Sequence, residues 1–351
     1  MNMRPLLKLM AERKASDLFL TAGAPVKIKI EGKIMSVNKQ VLNPANVRQA
    51  AISLMSADQV DRFSREMELD FAVSEPEWGR FRVNVFHQRG NVAMCLRYIT
   101  GGVPTLGELK MPDVLADLAM LKRGLVLMVG STGSGKSTTL AAMIDHRNRN
   151  ASDHILTIED PIEYLHSNSS CIINQREVGL DTVSYSRALR SALREAPDVV
   201  LIGEIRDRDS LRSTIDLAGT GHLAVSTMHA NNAAETLDRV VNMFPAEQHT
   251  QVLMDLSQYL KAIVSQRLVI GRDGKRVAAV EVLLVTPYVS ELIKKGDITA
   301  VKEALAEGRE SGMQNFDSAL YDLYAANRIG LEEALSNADS RSNLESRINF
   351  S

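Results

Sequence analysis

The chain has 351 residues and a nearly balanced charge, with 41 basic and 43 acidic residues and a formal net charge of −2. This length suits two or three domains, and the balance argues against a dedicated nucleic-acid-binding protein. Its two cysteines, Cys95 and Cys171, are far apart and outside any CxxC pattern. We therefore expect no disulfide framework and no zinc knuckle, which favours a cytoplasmic protein. No apolar run approaches the roughly 18 residues of a membrane span, so neither a span nor a signal peptide is expected.

Residues 1–99 are predicted to form a small α+β domain. The predicted elements are, in order, a helix over 3–14, a strand over 17–20, a hairpin of 27–30 with 33–35, a helix over 44–65, and strands over 69–73, 80–86 and 92–99. Asn43 is a suitable cap for the second helix, because its side chain can accept a hydrogen bond from a first-turn amide.

Two arginines lie on the polar faces of alternating strands in this domain. Arg82 and Arg97 each stand between apolar residues that point to the opposite face. If their strands pair around a turn at Arg89-Gly90, the two arginines share one surface. From the residues alone, the more common explanation of such a pair is a solvated strand face.

Residues 100–112 contain three glycines and two prolines, and we interpret them as an interdomain linker. Short apolar runs then alternate with helical stretches across 113–335, which predicts a parallel sheet with helices on both faces. The runs are 125–129, 155–158, 199–202 and 223–226. Ligands of such sheets bind at the carboxyl ends of the strands. Residues 336–351 form a charged tail, for which a frayed polar terminus is favoured over a docking element.

Residues 130–137 read Gly-Ser-Thr-Gly-Ser-Gly-Lys-Ser, the complete GxxxxGK[ST] pattern between an apolar run and a helical segment. Glycines let the backbone curl so that successive amides point at phosphate oxygens, and the helix N-terminus adds a positive dipole end. Lys136 is expected to reach the β- and γ-phosphates, and Ser137 to bind Mg²⁺. The sequence thus predicts an ATP site with magnesium, made by Ser131, Thr132, Gly133, Ser134, Gly135, Lys136, Ser137 and Thr138.

Acidic residues follow the next two runs. Glu159, Asp160 and Glu163 lie within five positions, and we expect them to repel each other unless a cation lies between them. A solvated acidic loop is the alternative. Glu204 follows the run 199–202 and is a candidate general base or water-positioning residue, or an outer ligand of Mg²⁺.

His222 and His229 flank the run 223–226, too far apart to share one metal ion unless the strand bends. His229 lies at the carboxyl end and is a candidate sensor of the γ-phosphate. His222 is a candidate bridge to a neighbour or to the phosphate loop. A lone histidine is, however, more often a structural residue.

Four segments together resemble a known family. The stretches Gly-Ser-Thr-Gly-Ser-Gly-Lys-Ser-Thr-Thr, Ile-Glu-Asp-Pro-Ile-Glu, Ile-Gly-Glu-Ile-Arg-Asp and Gly-His-Leu-Ala-Val-Ser-Thr-Met-His-Ala are similar to the Walker A, Asp box, Walker B and His box of the secretion-superfamily ATPases. The opening Ala15-Ser16-Asp17-Leu18-Phe19-Leu20 and the short chain resemble the type IV pilus retraction (twitching motility) branch, PilT and PilU. The extension and type II secretion ATPases are longer and commonly carry a four-cysteine zinc site.

The resemblance implies a homohexameric ring of two-domain subunits, with a PAS-like N-terminal domain, a RecA-like ATPase domain and ATP between them. It also implies roles for residues. Glu204 would be the catalytic glutamate and Glu163 would act through Mg²⁺ or water, while His222 and His229 form the His box. Arg82 and Arg97 fall in the strands that supply phosphate-contacting arginine fingers. The implied partners are a PilT-type ATPase and the inner-membrane pilus platform protein, through which the ring is peripheral to the membrane.

The chain departs from the PilT type in one segment. PilT-type proteins carry Ala-Ile-Arg-Asn-Leu-Ile-Arg-Glu where this chain has residues 287–295, without arginine. This resembles the accessory PilU type, and an independent PilT-type motor is the alternative. A RecA-like nucleic-acid motor is disfavoured, since aromatic residues make up only 5% of the chain. A non-hydrolysing ring subunit is disfavoured because neither the lysine nor the acid is degraded.

Overall fold

The computed structural model describes residues 1–99 and 101–350, except for the side chains of residues 310 and 311. The chain divides into two compact units. The first consists of Met1–Gly102 with Glu163–Leu165, and the second of Val103–Ile162 with His166–Ser351. Residue 100 of the predicted linker lies outside the described residues.

The first unit is built on a six-stranded antiparallel sheet with strand order β3-β2-β1-β6-β5-β4. Its elements are α1 Arg4–Glu12, β1 Asp17–Leu20, β2 Pro25–Ile30, β3 Lys33–Val41, α2 Pro44–Ile52, α3 Ala57–Glu66, β4 Glu68–Glu75, β5 Gly79–Gln88 and β6 Asn91–Ile99. Large buried side chains, among them Leu7, Phe71 and Phe81, form its own hydrophobic core. The predicted α+β class of this part is confirmed.

The predicted single helix over 44–65 is wrong. Asn43 caps α2 as expected, its side chain accepting from the amide of Asn46. A second capping box then begins α3, where Ser56 accepts from the amide of Gln59 and the Gln59 side chain accepts from the amide of Ser56. Because this reciprocal pair satisfies the free amides of a new helix start, the helix is interrupted between residues 52 and 57.

The predicted hairpin around Arg89-Gly90 is confirmed. β5 and β6 pair antiparallel, and both turn residues have positive φ, 49° and 74°, as a two-residue hairpin turn requires. Arg82 and Arg97 are direct partners in this ladder. They therefore lie side by side on one face of the sheet, as the alternation pattern predicted.

The second unit contains a seven-stranded sheet with strand order β13-β12-β7-β11-β10-β8-β9. Its strands are β7 Gly124–Val129, β8 His154–Glu159, β9 Ile172–Glu177, β10 Val199–Ile202, β11 Leu223–Met228, β12 Leu260–Ile270 and β13 Arg276–Leu284. All neighbours are parallel except β12 and β13, which pair antiparallel. The predicted parallel sheet is confirmed, and the carboxyl ends of β7, β8, β10 and β11 lie along one edge.

Helices pack against this sheet and continue beyond it. They are α4 Val114–Ala119, α5 Lys136–Asn150, α6 Tyr185–Ala192, α7 Arg208–Gly219, α8 Ala233–Asn242, α9 His249–Tyr259, α10 Pro287–Lys295, α11 Ile298–Glu307, α12 Phe316–Ala325, α13 Leu331–Ser336 and α14 Arg341–Asn349. In the part of the chain that the structure describes, no helix is long and apolar enough to cross a membrane.

The expectation of a frayed terminus is wrong for residues 341–349. These residues form α14, in which Leu344 is only 1% exposed. The guanidinium of Arg347 lies 4.1 Å from the centre of the Tyr321 ring on α12, and it also donates to the Ser318 hydroxyl. Leu344, the partly buried Ile348 and the stacked Arg347 thus anchor a helix whose other residues are polar.

Candidate nucleotide site

The phosphate loop leaves the sheet where β7 ends at Val129. Gly130, Gly133 and Gly135 all have positive φ, at 151°, 78° and 89°, so the loop turns back sharply before α5 begins. Gly135 occupies the N-cap of α5 without a side-chain cap, and the first turn contains no acidic residue. The start of this 15-residue helix therefore has no acidic side chain that would oppose an anion at its positive dipole end.

Lys136 crosses its own loop. Its Nζ donates to the carbonyl oxygens of Gly130 at 2.7 Å and Ser131 at 2.9 Å, and the residue is buried. Ser131, Thr132 and Gly133 form the exposed rim of the loop. The buried hydroxyl of Ser134 has no hydrogen-bond partner among the described residues.

These features fit a phosphate chain. A phosphate oxygen in the cradle would draw Lys136 away from the loop carbonyls and would lie at the positive end of the helix dipole. Ser137 and Thr138, both half-buried in the first turn of α5, follow the lysine directly. The eight predicted loop residues thus form one continuous structural feature.

Glu204 lies at the end of β10, and its backbone is tied to β11. The Thr227 hydroxyl donates to the carbonyl of Gly203 at 2.6 Å, and the amide of Ile205 donates to the carbonyl of Thr227. The carboxylate is held from both sides. Its Oε1 lies 2.9 Å from Nε2 of His229, and its Oε2 accepts from Nε of Arg206 at 2.8 Å.

Arg206 and Tyr185 are site residues that the sequence reasoning missed. Arg206 also pairs with Asp160 at 3.1 Å, so it bridges the carboxylates of Glu204 and Asp160. Burial, together with the nearby carboxylate of Asp160, raises the pKa of the Tyr185 phenol, which therefore stays neutral. A Cβ at Gly203 would approach the Tyr185 hydroxyl to 3.0 Å, so glycine leaves room for the ring.

The sequence offers a signal for Arg206 as a site residue but none for Tyr185. Arg206 stands two positions after Glu204, inside a motif that had already been singled out. Tyr185 begins α6, and nothing in its local sequence places it beside the end of β10.

The acidic residues after β8 have partners within the protein, among them the Arg206 cation, and a metal ion between them stays a prediction. Oε1 of Glu159 accepts from the hydroxyl of Thr157 at 2.6 Å and from Nε2 of the Gln175 side chain at 3.2 Å. Asp160 is paired with Arg206, and Glu163 belongs to the first unit. Within residues 1–99 and 101–350, no group of three or more His, Cys, Asp or Glu could hold a metal ion.

The structure does not bring His222 to the phosphate loop of its own chain. Its Nδ1 lies 3.1 Å from the Thr220 hydroxyl and 3.2 Å from the carbonyl of Leu217, and its carbonyl accepts from the amide of Gly124 at the start of β7. The loop begins at the other end of β7, about 20 Å away for a strand of this length. A bridge from His222 to a neighbouring subunit stays a prediction.

In the first unit, each arginine of the Arg82–Arg97 pair has an acidic neighbour. Nε of Arg97 lies 3.0 Å from the buried carboxylate of Asp17, and Nε of Arg82 lies 3.5 Å from Asp70. The Arg97 side chain nevertheless remains 68% exposed. Both guanidiniums thus retain surface through which an anion can bind.

A cavity of about 650 Å³ opens beside Gly135 and Thr138 in the second unit. Its charged lining residues are Lys110, Arg272, Lys275, Arg276 and Arg328, against Glu108 and Asp273. The volume is within the range of small-molecule sites, and the net positive lining favours an anionic ligand. The phosphate loop and the adjoining cavity together therefore form a site large enough for a whole nucleotide.

A family model described as "Type II/IV secretion system protein" matches residues 3–311. The chain belongs to this family. PilU of Pseudomonas aeruginosa is 50% identical over 349 residues, covering 99% of this chain and 91% of that one. PilT of the same organism is 42% identical over 334 residues, covering 95% and 97%. A crystal structure of "the Pilus Retraction Motor PilT and Bound ADP" matches with a TM-score of 0.92 and 39% identity over 99% of both chains.

Family membership confirms the resemblance drawn from the four motifs and places the chain in the PilT/PilU branch. The fold class is confirmed as well, since the PilT structure matches nearly the full length of both chains. The roles of individual residues in the family's site stay predictions.

Proposed function

We propose that this protein is an ATP hydrolase that drives type IV pilus retraction and twitching motility, as a PilU-type accessory to a PilT-type motor. The observation that carries the proposal is that a complete phosphate loop and a glutamate held by two side chains follow strands that end at the same edge of one sheet. The pilus ATPases PilU and PilT are similar to nearly the whole chain, and the similar PilT crystal structure contains bound ADP.

In this mechanism the loop amides and Lys136 hold the β- and γ-phosphates of ATP, and the adjoining basic cavity receives the rest of the nucleotide. Glu204 accepts a proton from the attacking water, or orients it in line with the γ-phosphate. His229 and Arg206 hold the glutamate in place. A fixed carboxylate contributes because attack depends on alignment of the reacting atoms.

Magnesium fits the donors that the loop offers. Mg²⁺ usually binds one or two protein oxygens and completes its shell with water and phosphate oxygens. We propose that the Ser137 hydroxyl supplies one such oxygen and that Glu163 acts through a bound water. When bound, the ion neutralises charge on the β- and γ-phosphates.

The remaining parts of the proposal concern assembly. Subunits form a homohexameric ring in which Arg82 and Arg97 act as arginine fingers that stabilise transition-state charge. Nucleotide binding and release close and open the subunits, and this motion acts on the inner-membrane platform protein. The ring is cytoplasmic and reaches the membrane through that partner. No nucleic acid takes part.

The accessory assignment is supported by the surface of α10. Its exposed face carries Tyr288, Glu291, Lys294 and Lys295, and it contains no arginine. The decisive experiment is to delete the gene with and without its PilT-type relative and to score pilus retraction. Loss of retraction in the single deletion of the relative, with this gene intact, supports the accessory role. Normal retraction in that strain contradicts it and favours an independent motor.

Nucleotide binding is tested separately from retraction. Lys136→Ala should weaken binding of a fluorescent ADP analogue by about tenfold or more, because it removes a charge-assisted contact to phosphate. Lys261→Ala is the matched control, since Nζ of Lys261 donates to the carbonyl of Gln258, away from the loop. Equal affinities of the two variants would contradict the proposed site.

A further inference from the structure

Gln266 lies on β12 next to the phosphate loop. The preceding residue, Ser265, pairs with Val129, the last residue of β7, so Gln266 stands beside the point where the loop begins. The residue is only 2% exposed, and both ends of its amide are used. Nε2 donates to the carbonyl of Ser134 at 2.8 Å, and Oε1 accepts from the hydroxyl of Thr139 at 2.8 Å.

The two bonds join different parts of the phosphate-binding element. Ser134 lies in the loop itself, whereas Thr139 lies on the first turn of α5. One side chain from a strand that is distant in sequence therefore fixes the loop relative to α5, whose N-terminus would face the phosphates. This matters because the anion site requires both sets of amides in one geometry.

Two loop glycines are fitted to this residue. A Cβ at Gly135 would lie 2.7 Å from Nε2 of Gln266, and one at Gly130 would lie 2.5 Å from the backbone carbonyl oxygen of Gln266. At Gly130 the clash is with the backbone of Gln266, and at Gly135 a side chain would displace the Gln266 amide. Glycine at these positions thus gives the loop its curvature and also admits Gln266 to within hydrogen-bond distance.

The hydrogen bonds within the loop are less suited than those of Gln266 to hold the shape of the loop when nucleotide binds. Nζ of Lys136 spans the carbonyls of Gly130 and Ser131, but the same amine must turn to the phosphates. Its loop contacts are therefore exchanged for ligand contacts. The bonds of Gln266 come from outside the loop and need not be broken.

We propose that Gln266 is a positioning residue for nucleotide binding, acting through Ser134 and Thr139 rather than by contact with phosphate. The inference rests on the proposed nucleotide-binding function. Because the loop amides contact phosphate in the ground state and in the transition state alike, loss of the positioning should raise KM more than it lowers kcat.

The test compares Gln266→Met with Gln314→Met. Methionine has the same length and no hydrogen-bonding amide. Gln314 is half-buried and donates to the carbonyl of Val280 on β13 of the same sheet, so each change removes a side-chain amide contact within this sheet. We expect Gln266→Met to raise KM for ATP and Kd for ADP about tenfold, with kcat within about threefold. Gln314→Met should leave both constants within twofold.

A second pair of variants covers the case in which Gln266→Met does not fold. Thr139→Val removes only the bond to Oε1 and should raise Kd for ADP by about threefold to fivefold, whereas Thr139→Ser keeps the hydroxyl and should restore it. Amide hydrogen exchange across residues 131–135 should be faster in Thr139→Val and in any folded Gln266→Met than in the control.

The outcomes separate this inference from the proposed function. Binding of ADP by the wild-type chain, with Kd unchanged within twofold in Gln266→Met and Thr139→Val, overturns the role of Gln266 alone. Absence of ADP binding by the wild-type chain overturns the proposed function and this inference with it.

Discussion

Nε2 of His229 lies 2.9 Å from Oε1 of Glu204. The two residues follow β10 and β11, whose parallel pairing sets Ile202 beside Ser226 and brings the strand ends together. Since Arg206 donates to the other carboxylate oxygen, Glu204 is fixed on both sides. A carboxylate held in this way has a fixed orientation, which the proposed role in accepting a proton or positioning a water requires.

His229→Ala should lower kcat for ATP hydrolysis by about tenfold, because the glutamate loses one of the contacts that orient it. The Kd for ADP should stay within about twofold, since His229 does not contact the loop. Steady-state kinetics and ADP titration measure the two effects. His249→Ala is the control, as that ring contacts the carbonyl of Phe244. Unchanged kcat in His229→Ala would remove the histidine from the mechanism.

Arg206→Gln should also lower kcat, by about tenfold, with little change in KM. Without the guanidinium, the carboxylates of Glu204 and Asp160 face each other without their shared cation, and Glu204 loses its second contact. Arg208→Gln provides the comparison, because Arg208 forms only an exposed contact with Asp209. Equal kcat values for the two variants would show that the bridge has no catalytic effect.

Most of the strands could be predicted from local apolar runs and turn residues in the sequence. The four apolar runs of the second unit became β7, β8, β10 and β11, because consecutive buried residues bounded by turn signals specify short buried strands. The break between α2 and α3 was missed because a capping box inside a helical pattern competes with continuation of the helix. The helix α14 was missed because its stability depends on tertiary contacts of Leu344 and Arg347.

The site was only partly predictable for a related reason. Motifs identify residues that act through local geometry, such as the loop and Glu204. Gln266 lies within a strand that contains a polar stretch, Ser265-Gln266-Arg267, and this stretch was its only signal. Its role depends on a pairing between β12 and β7 that no local pattern encodes. His222 and His229 lie at opposite ends of β11, as the sequence predicts, but no local pattern shows that His229 contacts Glu204.

Glu281 should make stability depend on pH. Its Oε1 accepts from the amide of Ala233 and the hydroxyl of Ser265, and burial raises the pKa of its carboxyl from 4.5 to about 7. Because the folded state binds the proton more tightly, this contribution is full below pH 4.5 and is lost as pH rises through 7. The raised pKa corresponds to roughly 3 kcal/mol of unfolding free energy.

Glu281→Gln keeps an acceptor oxygen for both donors and does not titrate. The free energy of unfolding, measured by urea denaturation, should therefore fall in the wild type between about pH 5 and pH 7.5 but not in this variant. The difference, variant minus wild type, should increase with pH over this range. Glu303→Gln, at an exposed position, should show no such trend. A constant difference between Glu281→Gln and the wild type across this range would contradict the assignment.

Leu344→Ala should lower the free energy of unfolding by about 2–4 kcal/mol, because it leaves a cavity where α14 packs. Asn343→Ala, one residue earlier on the exposed face, should change it by less than about 0.5 kcal/mol. Thermal or urea denaturation measures both. Equal stabilities of the two variants would show that α14 does not contribute to the folded unit.

The most direct test of the account is the ATP turnover of Glu204→Gln, measured together with its affinity for ADP. The amide is nearly the same shape but cannot act as a base, so kcat should fall by about 100-fold or more while Kd for ADP stays within about twofold. Turnover at the wild-type rate in this variant would contradict the central claim that Glu204 activates or positions the attacking water.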